Sequence, residues 1–315
     1  MLYSRVVFLL AILLFIPHAS AQTPREAVEH FKNGNKKLEK GDLGGAIEEL
    51  SRAIEISSRL EVTRSPSRSA LTNGFANAEG DASGITVIDP LTAHAYISRG
   101  LARYRQGDVD GAILDWNRAI AINPGLAAAY LDRASARYGK GDQAGALADL
   151  DRALSIDPRM AEAYSNRGAI RREQGEIEKA LADLNRAIAL DARNPGAYCH
   201  RGFVRIDKHD WQGAISDFDI AIKLEPRMAW AHQGRGVART DLNGLEAAIV
   251  DFSRALELDP ELLNAYLNRG LVLLLQVKDS EAEKDFARAL TLKPEAKTEL
   301  ERRIELAKKL RSNEY

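Results

Sequence analysis

The sequence has one cysteine, Cys199, in 315 residues. An internal disulfide is therefore excluded, and so is a zinc site built on thiolates, so stability must come from packing. Excess charge is also lacking. With 44 basic against 45 acidic side chains and a pI near 6.6, the chain has no global field to hold nucleic acid or an anionic membrane surface. Its six histidines are scattered without HExxH spacing, and neither a phosphate-cradling GxxxxGKS/T loop nor a GxSxG nucleophile elbow occurs. No metal, no cofactor and no catalytic residue is expected. What is present is 45% apolar and 28% charged, a soluble and foldable composition. The length is too great for one small globule and suits a solenoid or two domains.

Residues 1–21, MLYSRVVFLLAILLFIPHASA, place one basic residue before an apolar run from Val6 to Ile16, then Pro17 and the small residues Ala19, Ser20 and Ala21. This predicts a secretory leader cleaved before Gln22. The alternative is an uncleaved membrane anchor, for which the apolar run falls short of the ~18 residues a spanning helix needs.

A 34-residue period organises most of the rest, with windows opening at Ala27, Ala93, Ala127, Ala161, Pro195, Ala229 and Leu263. The twentieth place is alanine in every window (Ala46 to Ala282), and so is the twenty-seventh (Ala53 to Ala289). Two alanines seven apart share a helix face and let another helix approach closely. The eighth place is glycine in six windows and Ala134 in the other; mid-helix glycine costs about 1 kcal/mol, which tight packing must offset. Gly41-Asp42, Gly107-Asp108 and Gly141-Asp142 end a first helix and cap a second. Tyrosine or histidine at the fourth place and Trp116, Phe218, Phe252 or Phe286 at the twenty-fourth read as core. Five windows close on proline: Pro124, Pro158, Pro226, Pro260 and Pro294.

The period, the small-residue places and the closing proline resemble the tetratricopeptide repeat family. That resemblance implies an all-α fold: a right-handed α-solenoid of stacked helix-turn-helix hairpins whose concave groove, lined by the first helices, binds a partner segment. The expected organisation is a leader at 1–21, a first repeat at 27–60, a flexible insertion at 61–92, six contiguous repeats at 93–296, and a capping helix and tail at 297–315. The insertion is rich in Ser, Gly, Asn and Ala and lacks the two-alanine signature. In the last segment Ile304 stands where the period puts glycine, so no second helix follows it.

The chain departs from that family at three places together. The seventh carries Arg99, Arg133, Arg167, Arg201, Arg235 and Arg269, and the eleventh carries Arg103, Arg137, Arg171, Arg205 and Arg239. The twenty-third carries Asp115, Asp149, Asp183, Asp217, Asp251 and Asp285. The first window follows more weakly with Asn33, Lys37 and Glu49. Acid recurring with base predicts a structural salt-bridge network in place of apolar packing, and not a basic stripe for a polyanion.

Carboxylates that recur in every repeat do not single out a catalytic pair, so an enzyme is not expected. The reading is an exported scaffold, periplasmic or extracellular, that binds a protein or peptide segment, assists assembly of an envelope or secreted complex, and has no integral membrane segment after cleavage. In the resembled family the groove is lined by the second, fifth, sixth, ninth, twelfth and thirteenth places. The second and fifth places carry no lysine here, which argues against a clamp for a partner's C-terminal carboxylate. The candidate partner-binding residues are His200, Phe203, Trp230, Gln233 and Val237, with Asn166 and Asn268 as bonds to a bound backbone. The alternatives are a non-catalytic accessory subunit of a cell-envelope enzyme and a self-assembling homo-oligomer. In the latter Leu271, Leu274 and Leu275 would form the contact unless the capping helix covers them.

Overall fold

The computed structural model describes residues 24–64 and 88–312. The expected leader and residues 65–87 of the expected insertion lie outside them. The described residues form fifteen α-helices in two compact units divided after Ile156. The first unit contains α1 (Pro24–Glu39), α2 (Leu43–Arg64), α3 (Ile88–Gln106), α4 (Val109–Ile122), α5 (Ala127–Gly139) and α6 (Gln143–Ile156). The second contains α7 (Ala161–Glu173), α8 (Ile177–Leu190), α9 (Pro195–Asp207), α10 (Trp211–Leu224), α11 (Ala229–Asp241), α12 (Leu245–Leu258), α13 (Leu263–Leu275), α14 (Asp279–Leu292) and α15 (Lys297–Ser312). Consecutive helices pair into antiparallel hairpins, and within each unit each hairpin packs on the next. No helix among the described residues is long and apolar enough to cross a membrane.

The small-residue places explain the pairing. The alanines at the twentieth and twenty-seventh places are fully buried, and the residue at the twenty-fourth packs against the eighth-place glycine. A β-carbon on Gly202 would fall 2.8 Å from the Phe218 ring, and one on Gly270 only 2.4 Å from Phe286. Glycine is kept there because a ring occupies the space of its side chain. Second helices end at Ile122, Ile156, Leu224, Leu258 and Leu292, two residues before the closing prolines, as the restricted backbone before proline requires.

Each hairpin turn passes through a left-handed residue. Gly41, Gly107, Gly141 and Gly175 have φ of 75–91°, and Asp42, Asp108 and Asp142 then accept a helix N–H at 2.9 Å. In the last three repeats the left-handed place belongs to His209 (φ 58°), Asn243 (59°) and Val277 (61°), where only the turn geometry has been kept.

Helical structure extends into both edges of the insertion: α2 continues to Arg64 and α3 begins at Ile88. The first hairpin packs directly on the second, with Leu38 and Leu50 in one cluster with Ala95 and Ala102. At the other end α15 lays Leu300, Ile304 and Ala307 into a cluster with Leu271, Leu274 and Leu275. Arg311 donates to the Leu274 carbonyl at 3.1 Å and to Asp279 at 2.6 Å. The leucines considered as a subunit contact thus lie against the last helix of their own chain.

Candidate partner-binding face

Guanidinium–carboxylate pairs fix each hairpin. Arg99 meets Asp115 through Nε and Nη2 at 2.8 and 2.7 Å, and the pattern recurs at Arg133–Asp149 (2.8, 2.6 Å) and Arg167–Asp183 (2.8, 2.7 Å). It recurs again at Arg201–Asp217 (2.9, 2.7 Å), Arg235–Asp251 (3.0, 2.6 Å) and Arg269–Asp285 (2.8, 2.7 Å). All six aspartates are buried. The eleventh-place arginines add a third bond: Arg103, Arg137, Arg171, Arg205 and Arg239 reach the same carboxylates at 2.6–2.8 Å. These hydrogen bonds hold Arg201 and Arg269 above the usual guanidinium range. In the first hairpin His30 at 2.7 Å and Lys37 at 3.1 Å hold Glu49, and the bond from His30 is the main reason its carboxyl lies below the usual range.

Sequence reasoning missed two layers of this network. The remaining nitrogen of five seventh-place arginines reaches back to the twenty-fifth place of the repeat before it: Arg99 to Ser51 (2.9 Å), Arg133 to Asn117 (2.5 Å), Arg201 to Asn185 (2.8 Å), Arg235 to Asp219 (2.6 Å) and Arg269 to Ser253 (2.9 Å). The guanidinium groups of Arg99, Arg133, Arg167, Arg201 and Arg269 also lie over the fourth-place tyrosine of their own helices, as Arg133 does over Tyr130 at 5.4 Å, whereas the fourth place before Arg235 is His232. The signal was available: after the insertion the two polar partners stand sixteen residues before and sixteen after the arginine, and only Ser51, across the insertion, stands forty-eight before Arg99. The arginines of the seventh and eleventh places are thus engaged with acids of their own chain.

The proposed partner residues all lie in the second unit, on α7, α9, α11 and α13, which pack side by side in that order. Trp230, at the start of α11, is 52% exposed and is the most exposed tryptophan, tyrosine or phenylalanine among the described residues. Phe203 is half-buried, edge-on to Phe218 at 5.1 Å, with the Arg172 guanidinium 5.1 Å over its ring. Val237 packs into the cluster of Phe252 and Val272. His200 is partly buried, and loss of water, then the charge of Arg172, lowers its pKa to about 4, so it presents a neutral imidazole.

The structure separates the other candidates from this surface. Gln233 is 5% exposed, and its Oε1 reaches no partner, so it is not a surface handle beside Trp230. The Asn268 side-chain oxygen accepts from Arg303 of α15 at 3.3 Å, which commits it to the capping helix. Asn166 is half-buried on α7.

The sequence matches a family model described as TPR repeat over residues 100–141, 168–208 and 236–277. No curated protein matches it. Among solved structures it is similar to a tetratricopeptide repeat protein from Parabacteroides merdae, at 19% identity and a TM-score of 0.60 over 90% of this chain and 99% of that one. It is also similar to a chain of the APC/C hetero-tetramer Cut9–Hcn1, at 17% identity and a TM-score of 0.63 over 82% of this chain and 52% of that one. A third likeness is to pilF of Pseudomonas aeruginosa, at 19% identity and a TM-score of 0.56 over 64% and 92%. At these identities the likeness speaks for the fold.

Proposed function

Because this chain is a tetratricopeptide repeat protein, with a fold that supports protein–protein interaction scaffolds, we propose that it is an exported, non-catalytic scaffold. In this reading the first helices of the second unit bind a peptide or helix of another exported protein and assist assembly of an envelope or secreted complex. The observation that carries it is Trp230: a large aromatic side chain left half in water on a helix whose neighbours are packed. Exposed aromatics at the centre of a packed face are the commonest binding anchors. Phe203 and Val237 supply the apolar floor beside it. Export rests on the leader sequence at residues 1–21.

Two measurements test the reading. A photo-crosslinking residue at position 230 should capture a defined exported protein in living cells, whereas one at exposed Val250 should not. Trp230→Ala should weaken that complex by about 2 kcal/mol or more while leaving the melting temperature nearly unchanged. Fusing residues 1–21 to a reporter active only outside the cytoplasm tests export, and an inactive fusion would refute it.

A further inference from the structure

Asp207 and Asp241 end consecutive first helices, α9 and α11, at the same place in the repeat, and only the first has a base. Arg172, one helix back on α7, donates to both oxygens of Asp207 at 2.5 and 3.1 Å and lays its guanidinium over Phe203. One repeat further on, Phe203 becomes Val237 and Asp207 becomes Asp241, but Arg172 becomes Ile206, which packs into the α9–α10 core. The apolar floor and the acid recur without the cation.

Asp241 has no hydrogen-bond or ion-pair partner among the described residues. It is exposed, yet partial loss of water raises its pKa, against a smaller counter-effect from the charge of His209. The other arginines of this surface cannot serve it, since Arg167 and Arg171 hold Asp183 while Arg235 and Arg239 hold Asp251. Glu162 is also exposed on α7, while the seventh- and eleventh-place arginines of α7, α9 and α11 are held by the buried aspartates of their hairpins. Trp230 stands eleven residues before Asp241, three helical turns, which places both on one face about 16 Å apart.

This step rests on the partner-binding reading above. We propose that the partner is a basic peptide segment: one of its lysines or arginines sits against Asp241 and Val237 as Arg172 sits against Asp207 and Phe203, while an apolar side chain covers Trp230. An extended segment spans the two anchors in about five residues. A cation brought to a partly desolvated, unmatched carboxylate gains more than one meeting a fully hydrated acid.

The test uses a fluorescent twelve-residue peptide of alternating leucine and lysine, its leucine–glutamate counterpart, and the chain lacking residues 1–21, by anisotropy at low and high salt. The basic peptide should bind and the acidic one should not, and binding should weaken with salt. Asp241→Asn should lower affinity fivefold or more without lowering the melting temperature, whereas Glu283→Gln, at an exposed acid on α14, should leave affinity unchanged. If Trp230→Ala weakens binding and Asp241→Asn does not, the groove reading stands and the basic partner is refuted. Equal losses for Asp241→Asn and Glu283→Gln would reduce the effect to general attraction and overturn the proposal. Binding that survives both Trp230→Ala and Asp241→Asn would overturn the groove reading as well.

Discussion

Arg269 is the sole partner of Asp285 among the described residues, whereas Asp217, at the equivalent place two repeats earlier, is held by both Arg201 and Arg205. The difference arises at the eleventh place, where Leu273 replaces arginine. A buried carboxylate that loses its last base keeps the full penalty of its desolvation. Arg269→Ala should therefore destabilise by about 3–5 kcal/mol and Arg201→Ala by about 2 kcal/mol, because Arg205 still neutralises Asp217. Lysine should restore only part of either loss, since it cannot form the parallel pair of bonds. Urea unfolding of the four variants checks the ranking, and equal losses for the two alanine variants would refute it.

The glycine–aromatic contacts allow a second prediction. Gly202→Ala would drive a methyl to within 2.8 Å of the Phe218 ring and should cost about 1–3 kcal/mol. The third repeat shows the compensation: Ala134 stands at the glycine place, and the opposing residue is Leu150 and not an aromatic. Gly202→Ala combined with Phe218→Leu should then be less damaging than the sum of the two changes. A double-mutant cycle measured by denaturant unfolding reads that coupling directly, and strict additivity would show that the ring does not set the glycine.

Val277 is a β-branched residue in left-handed backbone at φ 61°, where four other repeats have glycine. Its side chain is 61% exposed and so recovers little of the strain by packing. Left-handed geometry costs a non-glycine residue about 1–2 kcal/mol, partly offset by the greater freedom that glycine gives the unfolded chain. Val277→Gly should raise stability by about 0.5–1 kcal/mol, seen as a higher melting temperature, and a lower one would place a stabilising contact on this side chain.

The hairpins were legible because their packing rests on residue size. A fully buried alanine at the twentieth and twenty-seventh places, or a glycine under Phe218, leaves one residue type at one spacing. The Arg–Asp pairs were legible for a related reason: charge of both signs recurred in register. The partner face was less so, because exposure does not follow the period. Gln233 and Trp230 stand three residues apart on one helix, yet one is 5% and the other 52% exposed. Arg172 could not be distinguished in the sequence from the network arginine Arg171 beside it, although Arg172 alone turns to Phe203 and Asp207. The left-handed turns at His209, Asn243 and Val277 were missed because no glycine stands at the turn there, although histidine and asparagine adopt that backbone more readily than most residues.

His200 makes the stability of the second unit depend on pH. Its folded-state pKa is pushed down to about 4, first by loss of water and then by Arg172, from an ordinary value of 6.5. Between those values the unfolded chain binds a proton that the folded chain refuses, so stability is full above pH 6.5 and falls as pH is lowered toward 4. A shift of this size sets an upper limit of about 3 kcal/mol, and the partly open ring lowers it. His200→Gln cannot be protonated and should remove this part of the acid sensitivity between pH 6.5 and 4. The neighbouring Cys199 supplies a local probe, because burial raises its thiol to about 12 and keeps it inert in the folded chain. Labelling by a disulfide reagent, compared between the two proteins after correction for reagent chemistry at each pH, should speed up on acidification in the parent and much less in His200→Gln. Identical acceleration in both would assign the acid sensitivity to other groups and leave His200 without a part in it.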